Sequence, residues 1–594
     1  MSNHCGSRVG RALKWRGLQA SGLLAVALAC GGHLPTSLVS RAPGPSVADF
    51  VDVAEKAGLR AVNVFGGKNT STYILESTGT GVVIFDYDND GWPDIFLVNG
   101  TTLEGGHSGK NPISHLYHNN RDGTFSDVTE RAGLLASGWG QGACAGDFDN
   151  DGWEDLYVTY YGKNRLYHNR GDGTFEEVAE KVGVAGSGES WSAGCAFVDF
   201  DRDGRLDLMV ARYAKFDLQH AAPPGSYPTC QWKGIAVFCG PRGLPSDTNV
   251  LYRNVDGAHF QDVTTAARID RTSGHYCFSV TALDFDNDGW PDIYVACDSA
   301  PSILYHNKGD GTFEDIGALS GVAYNVDGRE QAGMGIAVAD YDGNGTLDLF
   351  RTNFSDDTPT LYRNEVDGGF SDVTYSSGLG SKTQYLGWGT VFFDFDNDGH
   401  PDLLLVNGHV YPEVDFLNLG IEYAEPKLLY RNNGNGTFTD VSDRAGSGIP
   451  AKSPARGLAV GDLWNDGRLS AVITNRNGTP NLLVNQSRYL NHWIGIKAEG
   501  TRSNRSGIGT RVQVRTKSGD QIDEVRSGSS YLSQSDSRLH FGLGPNTKID
   551  YVEARWPSGL VERFANAAID KIFVMKEGMG EAVSKSPRHE PSQL

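Results

Sequence analysis

At 594 residues the chain is too long for one ordinary hydrophobic core, so two or more domains are expected. Gly supplies 76 residues and Met only 5, a balance that suits a turn-rich all-β protein and not a helical one. Aromatics at 10% and hydrophobics at 39% exclude wholesale disorder, and a formal charge of −21 argues against nucleic acid or an anionic membrane surface as partner.

Residues 1–29 read as an export signal. Arg8, Arg11, Lys14 and Arg16 form a positive start, Gly22–Ala29 is a short apolar stretch, and Ala27-Leu28-Ala29 ends it as a small-x-small cleavage site. No later segment reaches 18 apolar residues, so no membrane-spanning helix is predicted. Cys30 stands where a lipoprotein is acylated, while Ala27 and Leu28 suit a lipobox poorly, so an anchored and a free N terminus are both open. Loss of four basic and no acidic residues takes the formal charge from −21 to −25. The location expected is periplasmic, cell-surface or secreted. Past Cys30 six cysteines remain, and Cys230 with Cys239 is the expected disulfide because the two bracket one short loop. Cys144, Cys195, Cys277 and Cys297 lie in strand-like runs, where free thiols and disulfides are both open.

After a linker at 30–47, a unit written FDYDNDGWPDIFLV at Phe85–Val98 returns through the chain. Copies begin at Gly146, Val198, Leu283, Ala339 and Phe393, and a decayed one, GDLWNDGRLSAVI, runs from Gly461 to Ile473. A second unit lies between them, as LYHNNRDGTFSDVT at Leu116–Thr129, and reads as a β-hairpin around a Gly/Asn/Asp turn. Its last copy stops at Leu482-Leu483-Val484-Asn485. The missing half, Phe50 to Leu59, stands at the start of the mature chain and aligns without a gap to Phe125–Leu134. A ring closed by its N-terminal strand explains this split, and a seven-bladed β-propeller over 48–487 is the predicted architecture. Arg212–Asn249 and Gly408–Lys427 interrupt the period as long loops. Over 490–577 short alternating runs broken by Gly, Ser and Asn predict a small β-sandwich-like domain, and 578–594 is expected to be a disordered tail.

The first unit carries the spacing D-x-D-x-D-G-x-x-D, whose odd positions converge when the chain curls around a hard cation. The predicted ligands of the first loop are Asp86, Asp88, Asp90, Asp94 and the carbonyl of Trp92. In the second they are Asp147, Asp149, Asp151, Trp153 and Asp155, and in the third Asp199, Asp201, Asp203, Arg205 and Asp207. The fourth offers Asp284, Asp286, Asp288, Trp290 and Asp292. The fifth offers Asp340, Asp342, Asn344, Thr346 and Asp348, and the sixth Asp394, Asp396, Asp398, His400 and Asp402. All predicted donors are oxygen, which favours calcium over zinc or copper. Two unit charges 4 Å apart repel by about 4 kcal/mol at an effective dielectric near 20, so uncompensated loops would splay. In the seventh copy Trp464 and Ser470 replace two acids, leaving Asp462 and Asp466, so about six structural calcium ions are expected.

These loops resemble the FG-GAP (VCBS-type) calcium repeats of integrin alpha-subunit propellers. Nearly the whole mature chain is similar to the cartilage acidic protein family and its bacterial relatives, which add a C-terminal ASPIC/UnbV domain. The second likeness rests on Asn504–Gly509 (NRSGIG), Val525–Tyr531 (VRSGSSY), Phe541–Gly544 (FGLG) and Trp556–Gly559 (WPSG). The resemblance implies a secreted calcium-binding protein with an adhesive or protein-binding role. A scaffold that binds a protein or glycan is therefore the leading expectation. The alternative is a lyase, hydrolase or quinoprotein-like enzyme in the propeller's central funnel, with His275, His409, Tyr411, Arg242 and Glu413 as candidates. No nucleophile elbow, zinc-protease helix, P-loop or dinucleotide fingerprint is present.

Overall fold

Every repeat turns its apolar alternation into one small antiparallel sheet. The computed structural model describes residues 47–104, 111–188, 190–366, 369–417, 420–488 and 490–583. The predicted signal peptide, Cys30, nearly all of the linker and residues 584–594 lie outside the described residues. In the first sheet Val82–Phe85, Asp94–Leu97, His115–Asn119 and Phe125–Asp127 pair in that order. The two inner strands are buried along their whole length and are apolar throughout except at Asp94. The outermost strand buries Phe125 and exposes Ser126 and Asp127, as an edge facing water requires.

Among the described residues seven four-stranded sheets of this kind occur. Their innermost strands are Val82–Phe85, Trp139–Gly146, Ser192–Val198, Cys277–Leu283, Ile336–Ala339, Gly387–Phe393 and Ala455–Gly461. Each touches the next, and the last touches the first. The seventh sheet takes its outer strand from the start of the chain: Phe50–Asp52 runs antiparallel to Asn481–Asn485, with Phe50 opposite Asn485. Phe50 is fully buried against Phe393 and Phe395 of the sixth repeat, an apolar contact between neighbouring repeats.

The C-terminal residues form two further sheets. Leu539–Gly544, His492–Glu499 and Ile572–Lys576 make one; Gly519–Glu524, Arg511–Thr516, Tyr551–Arg555, Val561–Phe564 and Glu581–Ala582 make the other. The second sheet runs past residue 577, because Glu581 and Ala582 pair with Arg563 and Glu562. The expected tail from 578 is thus part of the sheet up to residue 582; a two-residue strand is too short to show a period. The core of this domain, with Ile494, Val512, Phe541 and Trp556, is continuous with Phe197, Leu206 and Leu208 of the third repeat.

That continuity has a centre. Residues 527–536 leave the C-terminal domain and hydrogen-bond to the innermost strand of all seven sheets. Gln534 takes the N–H of Ile84 and donates its own to Val82, and Leu532 accepts from Ala143. Ser527 Oγ accepts from Phe197 at 3.3 Å, and Leu532 donates to Ser279 Oγ at 3.4 Å. Ser530 exchanges backbone bonds with Ile336, and its hydroxyl accepts from Thr390 at 3.1 Å. Ser535 Oγ accepts from Val460 at 3.1 Å. A Cβ at Gly81 would collide with the carbonyl oxygen of Leu532, so glycine there is what lets the segment enter. Tyr531 and Leu532 end in an aromatic cluster with Trp191, Tyr213, Phe238, Trp388 and Tyr411, to which both long insertions contribute.

Among the described residues three disulfides are present. Cys230–Cys239 closes the short insertion loop expected from its spacing. Cys144–Cys195 joins the innermost strands of the second and third sheets, and Cys277–Cys297 joins register partners in the fourth. The sequence left these four open because it does not give the register. Such pairing belongs to an oxidising, extracellular or secretory environment.

Candidate metal-binding loops

Each acidic loop connects the first two strands of its sheet. The first acid caps the turn: Asp86 Oδ1 accepts the N–H of Asp90 at 3.0 Å and its Oδ2 that of Gly91 at 3.0 Å. Asp147, Asp340 and Asp394 repeat this on Asp151 and Gly152, Asn344 and Gly345, and Asp398 and Gly399. The fourth loop residue adopts left-handed backbone in all seven copies, with φ of 53° at Asn89, 60° at Asn150 and 73° at Gly343. Asn and Gly enter that region most easily, which accounts for the residue type there; Arg202, at 58°, is the exception.

The last acid is tied to the hairpin unit. Asp94 Oδ1 accepts the N–H of Asn119 at 2.8 Å and its Oδ2 that of Tyr87 at 3.3 Å. Asp155, Asp207, Asp292, Asp348 and Asp402 bond Asn169, Asn254, Asn307, Asn364 and Asn432 in the same way. The two repeated motifs therefore meet in every sheet that keeps its acids.

The predicted ligands converge. Asp86, Asp88 and Asp94 each bring a carboxylate oxygen within 4.8 Å of the others, as do Asp147, Asp149 and Asp151, and Asp199, Asp201 and Asp203. Oδ1 of Asp88, Asp201, Asp284 and Asp396 is buried and accepts no hydrogen bond. A buried, unpartnered carboxylate oxygen is costly unless a cation meets it, so the donor set fits a hard divalent ion. Burial, reinforced by neighbouring loop acids, pushes the carboxyls of Asp147 and Asp292 up to about 8 and that of Asp348 to about 9. A bound cation reverses this logic and holds such groups ionised.

The seventh loop keeps the turn and loses the cluster. Asp462 still accepts from Asp466 and Gly467. Arg468 pairs with Asp466, and Arg538 of the C-terminal domain, itself ion-paired to Asp536, donates to the Asp462 main-chain carbonyl at 3.0 Å and to Asn465 Oδ1 at 2.7 Å. Trp464 packs beside an apolar cluster where the other loops place an acid.

Two features escaped the sequence reading. His118, His168, Arg253, His306, Arg363 and Arg431, in the hairpin unit, stand beside the loop acids. The C-terminal domain also docks on these loops: Arg555 pairs with Asp284, Arg511 donates to the Gly345 carbonyl at 3.0 Å, and Asp147 donates its N–H to Ser506 Oγ at 3.0 Å. The signal for the first was in plain view, as the H/R alternation inside LYHN and LYRN. The second required three-dimensional placement.

Three of the five catalytic candidates have partners outside the set. His275 bonds the Pro301 carbonyl at 2.8 Å, and Arg242 pairs with Glu330 at 3.2 Å. His409 is fully buried among Trp232, Phe354 and Tyr411, and accepts the Tyr411 N–H at 3.2 Å. Burial, with Arg456 nearby, pushes it down to about 3, so it stays neutral. Glu413 accepts the N–H of Ser71 at 3.3 Å.

Family models match the chain at both levels. The FG-GAP-like repeat matches residues 86–158, 147–210, 237–295, 284–351 and 347–405, and the ASPIC and UnbV model matches 500–582. Cartilage acidic protein 1 of Homo sapiens is 25% identical over 532 residues, covering 87% of this chain and 66% of that protein. The Xenopus tropicalis protein of that name is 25% identical over 513 residues, covering 81% and 70%. Matched regions thus span about two thirds of these relatives' length. Among solved structures, an Agrocybe aegerita lectin that recognises non-reducing terminal N-acetylglucosamine aligns with a TM-score of 0.37 at 18% identity, covering 67% of this chain and 86% of its own. A Trypanosoma rangeli sialidase aligns with a TM-score of 0.33 at 11% identity, covering 73% and 58%. Likeness at that level says nothing about ligand.

Proposed function

We propose that this chain, which carries FG-GAP-like repeats and a C-terminal ASPIC and UnbV domain, is an exported calcium-binding propeller acting as a protein- or glycan-binding, adhesion-type scaffold. The observation that carries the reading is the sixfold acidic loop with buried, unpartnered oxygens at Asp88, Asp201, Asp284 and Asp396. The first, third, fifth and ninth loop positions would hold the ions, with position seven adding a carbonyl. Calcium supplies charge there, cancelling repulsion between acids that otherwise strain the turn. Disulfides and the leader-like start support export. Lipid anchoring at Cys30 remains a second form of that export, which the mass of the mature N terminus distinguishes.

The funnel enzyme is the weaker reading, because residues 527–536 bond to the innermost strand of all seven four-stranded sheets and His275 and Arg242 pair with Pro301 and Glu330 outside the candidate set. Metal analysis of the purified exported protein, followed by glycan-array and extracellular-protein binding with and without chelator, tests the proposal. About six calcium ions and chelator-sensitive binding support it. Folded protein free of divalent metal, or turnover of a soaked substrate in the central channel, overturns it.

A further inference from the structure

The third-strand basic residue beside each acidic loop is more than a surface ion pair. It occupies one register position, the third residue of LYHN or LYRN: His118, His168, Arg253, His306, Arg363 and Arg431. In all six loops a side-chain nitrogen lies close to Oδ2 of the second loop acid. The distances are 3.3 Å to Asp88, 3.4 Å to Asp149, 2.6 Å to Asp201, 3.9 Å to Asp286, 2.9 Å to Asp342 and 2.9 Å to Asp396. The arginines pair with it directly, while each histidine Nδ1 stands between it and Oδ1 of the last acid, at 3.3 Å from Asp94, 3.2 Å from Asp155 and 3.0 Å from Asp292. In three of these carboxylates, Asp88, Asp201 and Asp396, the opposite oxygen, Oδ1, is buried and has no partner. One oxygen is held from outside while the other is turned inward, which is how an outer partner aims a metal ligand.

Two comparisons within the chain support that role. Arginine and histidine alternate at the position, and a guanidinium has no lone pair to give a metal, so the residue serves the carboxylate and not the ion. In the seventh sheet the second acid is replaced by Trp464, and there the position is Val484; both pack against one apolar cluster. Where there is no carboxylate to aim, there is no basic residue to aim it.

Resting on the calcium reading above, we propose that these six residues are positioning residues of the metal loops, the arginines holding the outer oxygen of the second acid and the histidines bridging the second and last acids. The test uses the full chain, calcium and a competing chromophoric chelator. Arg431→Met should weaken one site by about ten- to a hundredfold while the others keep their affinity. Arg431→His should restore part of that site, since histidine at this position in three other sheets stands between the second and last acids. Arg253→Met repeats the test in another blade, and circular dichroism in saturating calcium confirms the fold of each variant. Unchanged affinity at every site in both methionine variants would overturn the proposal and leave the calcium reading standing. A wild-type chain that binds no calcium would overturn both.

Discussion

The side-chain amide of Asn119 donates to the carbonyl oxygen of Leu463 at 2.9 Å, across the junction between the first and seventh sheets. Asn169 reaches Tyr87 and Asn254 reaches Phe148 at 2.7 Å; Asn307 reaches Phe200, Asn364 Phe285, Asn432 Tyr341 and Asn485 Phe395 at 2.8 Å. Each acceptor follows the first acid of the preceding loop, so every sheet is bonded to the turn before it. Asn485 keeps this bond although its own loop has lost two acids, so the clamp does not depend on an ion. Asn254→Ala strips the buried carbonyls of Phe148 and Leu206 of a donor and should cost about 1–3 kcal/mol. Denaturant unfolding measures it, and the loss should be equal in calcium and in chelator. An unchanged midpoint would dismiss the clamp.

The repeat made most of this legible. Asp spacing placed the loops, and the split between Phe50 and Asn485 anticipated the strand that pairs them. The clamp asparagine was visible as the invariant end of LYHN and LYRN, yet a hairpin reading gives it no partner, because the partner is in another sheet. The segment at Ser527–Tyr531 is legible in the sequence only as part of the motif Val525–Tyr531. Its place in the channel depends on how two domains dock, which no local pattern encodes. The strand cysteines stayed open because their pairing depends on strand register and on which sheets stand side by side.

Removal of loop acids should separate metal from fold. Asp86 caps its turn through Asp90 and Gly91 and sits beside Asp88 and Asp94. Asp86→Ala should remove one calcium ion per chain by metal analysis. It should lower the melting temperature in calcium by more than in chelator, where the ion's share is already gone. Equal shifts in both would mean the acid is only a turn cap.

Chelated protein should lose stability as pH rises. Burial pushes Asp94, Asp155 and Asp199 up to about 7 from an ordinary 3.8. A folded carboxyl that holds its proton more tightly than the unfolded chain contributes stability in full below about pH 4. That contribution is lost as pH climbs through about 7. Melting temperatures in chelator should therefore fall between about pH 4 and 8, and saturating calcium should flatten the slope. A slope that calcium leaves untouched would separate the acids from the ion.

The channel segment should hold the two domains together. Tyr531 is fully buried, packs against Trp388 and Phe278 at centroid distances of 4.7 and 5.5 Å, and donates its hydroxyl to Thr78 at 3.1 Å. Removing such a ring costs about 3–5 kcal/mol. Tyr531→Ala should lower the melting temperature and speed protease cleavage of the connection at 486–491. If cleavage is unchanged, the segment fills the channel without fastening the domains.

The Cys144–Cys195 bond should matter more than its position suggests. It closes 51 residues of chain, enough to withdraw about 4 kcal/mol of loop entropy from the unfolded state. It also ties two innermost strands that face the channel segment, since Ala143 and Ala145 of one donate their N–H groups to Leu532 and Gln534, and Phe197 of the other donates to Ser527 Oγ. Replacing both cysteines with alanine should lower unfolding stability by up to that amount. Replacing Cys277 and Cys297, which span 20 residues within one sheet, should cost less. The entropic account requires that order, and chemical denaturation of the two double variants decides it: a larger loss for the shorter loop would trace the stabilisation to native-state packing around the sulfurs.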